Sequence, residues 1–100
     1  MTAFVLTPAA EADLNDIITY IAENNSDAAE RSVARFERAM QMLADNPEVG
    51  HLREDLAAEP LRFWAIYSYM IIYRPKTTPL QIIRILHGAR DIKDILQRSI

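Results

Sequence analysis

The 100-residue chain contains no cysteine, two glycines and two histidines. Without thiols it can build neither a disulfide framework nor a thiolate metal site. The histidines, His51 and His87, form no His-x-x-x-His or His-Glu-x-x-His spacing, so no metal is expected. No Gly-rich phosphate loop and no paired-carboxylate spacing occurs, which leaves nucleotide and glycoside hydrolysis unsupported. No cofactor is expected. The opening stretch MTAFVLTPAAEADL lacks a basic start and a long apolar run. Neither a signal peptide nor a membrane span is therefore expected, and the chain reads as a small soluble cytoplasmic protein.

What is present is globular composition: 50% of residues are hydrophobic and 25% charged, consistent with one domain over residues 1–100. The net charge of −3 hides a division, with −8 on residues 1–60 and +5 on residues 61–100. Such a split predicts either a two-faced molecule whose basic part meets an acidic or phosphate-bearing partner, or helices that simply turn acidic faces to solvent.

Ala3 to Thr7 is a short strand-like run. Thr7 is a good N-cap and Pro8 suits the first helical position, where its missing N–H costs nothing. Ala10, Leu14, Ile17, Ile18 and Ile21 then recur at helical spacing. Asn24 to Asp27 breaks this helix and offers Asn25 or Ser26 as the next cap. A second helix follows, with Ala29, Val33, Phe36, Met40 and Leu43 in one stripe, until Asn46-Pro47 forbids continuation. The short break predicts an antiparallel helical hairpin. Leu61 to Pro75 and Leu80 to His87 are rich in β-branched and aromatic residues and predict three strands in a meander, with Tyr67-Ser68 and Pro75 to Pro79 as connections. His51 to Pro60 reads as a connector. Asp91 can cap a short last helix holding Ile92, Ile95 and Leu96. The expected fold is α+β: an N-terminal strand and a helical hairpin packed on a small antiparallel sheet, closed by a C-terminal helix.

His87, at the end of the last strand, is the candidate for acid–base work, with Asp91 within reach across the turn. A hydrogen-bonded structural histidine is the plainer reading. Tyr67, Tyr69 and Tyr73, with Phe63 and Trp64, could stack bases, but both faces of the central strand are apolar and core packing explains them better. Arg62, Arg74, Lys76, Arg84, Arg90 and Lys93 form the basic set. Arg84 interrupts an apolar strand, so it must meet solvent, a ligand, or a carboxylate such as Asp91 or an acidic helix residue.

FVLTPAAEADLNDIITYIAE, the Asn-Pro and Val-Gly after the second helix, YMIIYR and the closing IRILHGARD together resemble the ParE/RelE toxin superfamily, over nearly the whole chain. The motifs resemble the ParE branch, known as plasmid-stabilisation proteins. The resemblance implies a type II toxin that is neutralised by a cognate antitoxin and inhibits DNA gyrase, as a homodimer or a toxin–antitoxin hetero-oligomer. RelE-type relatives instead cut mRNA on the ribosome with a basic set and a late tyrosine. Aligned by eye, those positions fall at Met70, near Leu61 and Phe63, near Gly88 and near Asp94, and no tyrosine follows Tyr73. Stabilising developing phosphoryl charge needs cations, which methionine and glycine do not supply. The resemblance thus implies a toxin without its own catalytic set, whose target-binding residues would be Arg84, His87, Arg90, Asp91 and Lys93. The alternatives are a nuclease using His87, Arg62 and Arg84, or an inactive toxin-like interaction module.

Overall fold

A computed structural model of the chain describes residues 3–99. The elements run β1 (Phe4–Leu6), α1 (Pro8–Asn24), α2 (Ser26–Asp45), β2 (His51–Leu52), β3 (Arg62–Ile66), β4 (Tyr69–Arg74), β5 (Leu80–His87) and α3 (Ile92–Ser99). The strands form one sheet in the order β1-β5-β4-β3-β2.

Capping chemistry sets the helical hairpin. The Thr7 hydroxyl accepts from Ala10 N at 3.1 Å and donates to Ile83 O at 2.7 Å. One side chain thereby starts α1 and pins it to β5. Thr7→Ala removes both bonds and should cost about 1–2 kcal/mol, measurable as a lower urea midpoint with an unchanged slope. Asn25 serves both helices: its N–H donates to Ile21 O at the end of α1, and its Oδ1 accepts from Ala28 N at the start of α2. A single residue therefore makes the turn.

β3, β4 and β5 form the expected antiparallel meander, but β1 lies parallel to β5, with Phe4 opposite Leu80 and Leu6 opposite Ile82. The sheet is accordingly mixed rather than wholly antiparallel. The chain leaves β1 into α1 and reaches β5 only after the hairpin and the meander, so the two strands can run the same way. The expected connector also contributes structure: His51 and Leu52 pair with Phe63 and Arg62 as a short edge strand.

Both faces of the sheet are covered. Phe36, Met40 and Leu43 of α2 and Ala10 and Ile17 of α1 pack with Ile71, Tyr73, Ile82 and Ile85. On the other face, Leu61, Phe63, Ile72, Ile83 and Leu86 pack with Ile92 and Leu96 of α3. A bulge makes this division. Ile72 pairs with Arg84 and Tyr73 with Ile82, so β5 carries one residue more than β4, Ile83. Strict alternation would place Ile82 and Ile85 on opposite faces. The extra residue puts both under the hairpin and sends Ile83 and Leu86 to α3.

The charge division turns out to close the fold. Arg62 pairs with Glu48, Arg74 with Glu59 and Arg84 with Asp13, each joining an arginine of the basic half to a carboxylate of the acidic half. Arg74 holds the Glu59 carboxyl below the usual carboxylate range. Three members of the basic set are therefore committed within the molecule.

Candidate functional site

At the end of the sheet where β5 runs into α3, an open groove of about 270 Å³ is lined by Arg53, Leu56, Met70, Gly88, Arg90 and Lys93, with Asp91 and Ile92 closing it. Leu56 and Met70 give it a half-buried apolar floor, while Arg53, Arg90 and Lys93 stand exposed at its rim. Arg53 is bound bidentately to Asp55 at 3.0 and 2.9 Å. Arg90 and Lys93 make no ion pair within the described residues.

Of the residues singled out in the sequence, Arg90, Asp91 and Lys93 meet in this groove. Asp91 has a structural task there: its Oδ1 accepts from Asp94 N at 3.2 Å and its carbonyl from Ile95 N, so it caps α3 as expected. This bond, rather than His87, is what its carboxylate engages.

His87 lies at the same end of the sheet on the hairpin side. Its ring meets Tyr69 edge-on, with centroids 5.3 Å apart, and its Nδ1 accepts from Ala89 N at 3.0 Å. That bond leaves Nε2 as the nitrogen open to a partner. Gly88 adopts no positive φ, and a Cβ there would meet only Ser68 O at 3.5 Å, an ordinary contact. Its place in the turn rests instead on the Gly88 N–H bond to Ser68 O, 2.8 Å.

Arg84 lies elsewhere. Its Nε and Nη2 reach the two oxygens of Asp13 on α1 at 2.7 and 2.8 Å, with side-chain exposures of 15% and 10%. Asp13 Oδ2 also accepts from Ile85 N at 3.0 Å. One carboxylate thus satisfies both the arginine and the backbone donor that follows the bulge. The acidic helix residue foreseen as a partner for Arg84 is Asp13. The Asp13 hydrogen bonds push the Arg84 guanidinium further up from its already high range.

Arg62 donates to Gly50 O at 2.6 Å and to Glu48 at 2.8 Å. It sits opposite Tyr73, whereas Arg84 sits opposite Ile72 and His87 opposite Tyr69. The three residues of a hypothetical nuclease are thereby spread along three rungs and the two strands that flank β4, two of them held by carboxylates. Leu61 and Phe63, near the superfamily's basic strand positions, are 1% and 0% exposed. Phe63 and Tyr73 are likewise too buried to stack on a base, which leaves Tyr67 exposed and Trp64 and Tyr69 half-buried in that aromatic set.

Arg53 went unmarked in the sequence because it stands alone in the acidic stretch HLREDLAAEP. Only the fold of that segment over β4 and α3 carries it to the groove. Among the described residues no cluster of three metal-ligating side chains exists, and no helix is long and apolar enough to cross a membrane.

Comparison with known proteins agrees with this architecture. The family model described as "ParE toxin of type II toxin-antitoxin system, parDE" matches residues 4–92. A structure described as the chromosomal ParDE TA system from P. aeruginosa superposes with a TM-score of 0.70 at 22% sequence identity, covering 87% of this chain and 96% of that one. No curated protein matches in sequence. At that identity the structural likeness speaks for the fold, while the family match runs from β1 to the first residue of α3, so the chain belongs to the ParE toxin family of type II toxin–antitoxin systems.

Proposed function

We propose that the protein is a toxin that inhibits DNA gyrase by binding, without a catalytic set of its own, and that a cognate antitoxin neutralises it. The observation that carries this reading is the floor of the groove. Where a ribonuclease of this superfamily would meet developing phosphoryl charge, this chain has Met70 and Gly88. Its cations stand at the rim on exposed side chains, an arrangement suited to gripping a surface rather than stabilising a transition state. Arg90, Lys93 and His87 form the target-facing end of the molecule. Asp91 holds the start of α3 in place there, and Arg84 fixes β5 from behind through Asp13.

The antitoxin has a different surface available. Phe4, Leu6, Leu14, Ala34 and Met40, with Glu37, Arg38 and Gln41 beside them, line an open groove of about 550 Å³ beside the helical hairpin. β1 borders it as an edge strand, with Val5 46% exposed. An amphipathic segment laid there would bury apolar surface and leave the groove beside α3 open until it extended further.

Purified protein added in excess to gyrase and supercoiled plasmid is expected to block supercoiling and to accumulate cleaved DNA, with both effects reversed by the antitoxin. Unchanged gyrase activity, or codon-phased mRNA cleavage after induction that is lost in His87→Ala, would exclude this reading in favour of a nuclease. Normal growth under strong expression alongside a stable antitoxin complex would mark an inactive interaction module.

A further inference from the structure

Tyr67 is the first residue of the two-residue turn between β3 and β4, and its φ is +54°. Hairpin turns with a positive φ at this position favour asparagine, aspartate or glycine there, because a bulky side chain is crowded in the left-handed region. A tyrosine is among the least suited residues, yet its ring is not buried: Tyr67 is 58% exposed. The ring meets the buried Phe36 edge-on, with centroids 6.2 Å apart, and Arg35 Cζ stands 5.5 Å above its face. Strain retained at an exposed side chain points to work done by that side chain.

A second, independent feature adjoins it. Arg31, Arg35 and Arg38 follow one another by four and three residues on α2, which aligns them along one stripe. All three are exposed, and among the described residues none makes an ion pair, although Asp27, Glu30 and Glu37 lie on the same helix. Among the described residues Arg53, Arg62, Arg74, Arg84 and Arg98 each meet a carboxylate, whereas these three, like Arg90, do not.

We propose that Tyr67 with Arg35 and Arg31 of α2 extends the target-facing surface around the β3–β4 turn and receives a carboxylate-bearing segment of the gyrase protein, with Tyr67 as its anchor. Arg38, farther along the stripe, lines the groove beside the hairpin. The inference rests on the gyrase reading above. Three facts select this occupant. Forked guanidinium donors without a partner match carboxylates two bonds at a time. Tyrosine and arginine are the residue types that anchor protein interfaces. The net charge of −3 and the interspersed acids of α2 oppose a long polyanion such as duplex DNA. The turn is also continuous with the groove beside α3, since Ser68 O accepts from Gly88 N.

Tyr67→Gly and Arg35→Gln test the proposal with three readouts: thermal melting, gyrase inhibition, and capture by the antitoxin. Tyr67→Gly is expected to melt near the wild-type temperature, because relief of the left-handed strain offsets the lost ring contacts with Phe36 and Arg35, to bind antitoxin as wild type does, and to inhibit gyrase about tenfold or more weakly. Arg35→Gln, a solvent-side change with no fold to disturb, should weaken inhibition by about threefold or more. Either variant inhibiting within twofold of wild type, about the scatter of such assays, overturns the assignment. So does loss of antitoxin capture with undiminished inhibition, which would give the patch to the antitoxin. Tight wild-type binding to naked duplex DNA that both variants lose would give it to nucleic acid. A wild-type protein without effect on gyrase fails the functional reading itself, and removes this partner with it.

Discussion

Asp13→Ala is expected to destabilise the protein by about 2–3 kcal/mol, because the pair is part-buried and lies between exposed pairs, about 0–1 kcal/mol, and the about 3–5 kcal/mol for breaking a buried one. Total stabilities of small domains are about 5–15 kcal/mol, so a large part of the population should be unfolded in mild urea. Two separate deficits arise. Arg84, 15% exposed, keeps a charge that β5 and α1 hold away from water. Ile85 N loses its acceptor as well, leaving an orphan donor worth about 1–3 kcal/mol. Replacing the arginine too separates them. In Asp13→Ala/Arg84→Met the guanidinium that has lost Asp13 is gone as well, while Ile85 N still lacks that acceptor, so the double variant should be more stable than Asp13→Ala alone. Equilibrium urea unfolding of the two singles and the double gives the coupling. A loss below about 1 kcal/mol for Asp13→Ala, the range of exposed pairs, would show that water reaches the pair and that the bulge needs no side-chain acceptor.

Gly50→Ala should cost about 3 kcal/mol, combining overpacking with the loss of a buried hydrogen bond. Tyr73 is fully buried; its hydroxyl accepts from Gly50 N at 2.9 Å and donates to Pro47 O at 2.8 Å. Burial also pushes its phenol pKa up. A Cβ on Gly50 would overlap that hydroxyl and lie 2.9 Å from Cε1. The glycine is thus required by close approach, not by backbone conformation, since no glycine here has a positive φ. Tyr73→Phe removes the hydroxyl and should lower the penalty of Gly50→Ala without abolishing it, because the ring carbon remains. A double-mutant cycle measured by urea unfolding reads this directly. Full additivity of the two changes would mean that the segment after α2 moves aside freely and is not clamped by Tyr73.

That clamp explains a motif whose meaning the sequence left half-read. Asn46-Pro47 is legible as a helix breaker, and α2 does end at Asp45 with Asn46 as its cap. Nothing local says that Pro47 O and Gly50 N must converge on one hydroxyl 26 and 23 residues ahead. The charge division behaves likewise. Its sign was visible, as was the need of Arg84 for solvent, a ligand or a carboxylate, but that it meets a carboxylate, and that this is Asp13, depends on how α1 lies across β5. In the groove, Arg90 and Lys93 were legible because they follow a recognisable strand end and capped helix. Arg53 and the Tyr67–Arg35 pair were not, because each is an ordinary residue until a distant segment comes beside it.

The sequence by itself determined what is set within a few residues: the Thr7 and Asp91 caps, a helix break with a cap at Asn25 or Ser26, the Pro47 stop, the apolar stripes of α1 and α2, and the two-faced pattern of β4. These follow from helix and strand periodicity and from backbone donors that need a nearby acceptor. The tertiary structure decided what depends on pairing between distant segments. It set β1 parallel to β5, made an edge strand of His51–Leu52, and inserted Ile83 as a bulge. It committed Arg62, Arg74 and Arg84 to internal carboxylates and left Arg31, Arg35 and Arg38 without them. Short strands can pair in several registers and a charge is satisfied by any opposite charge within reach, so only the packed chain selects among the choices.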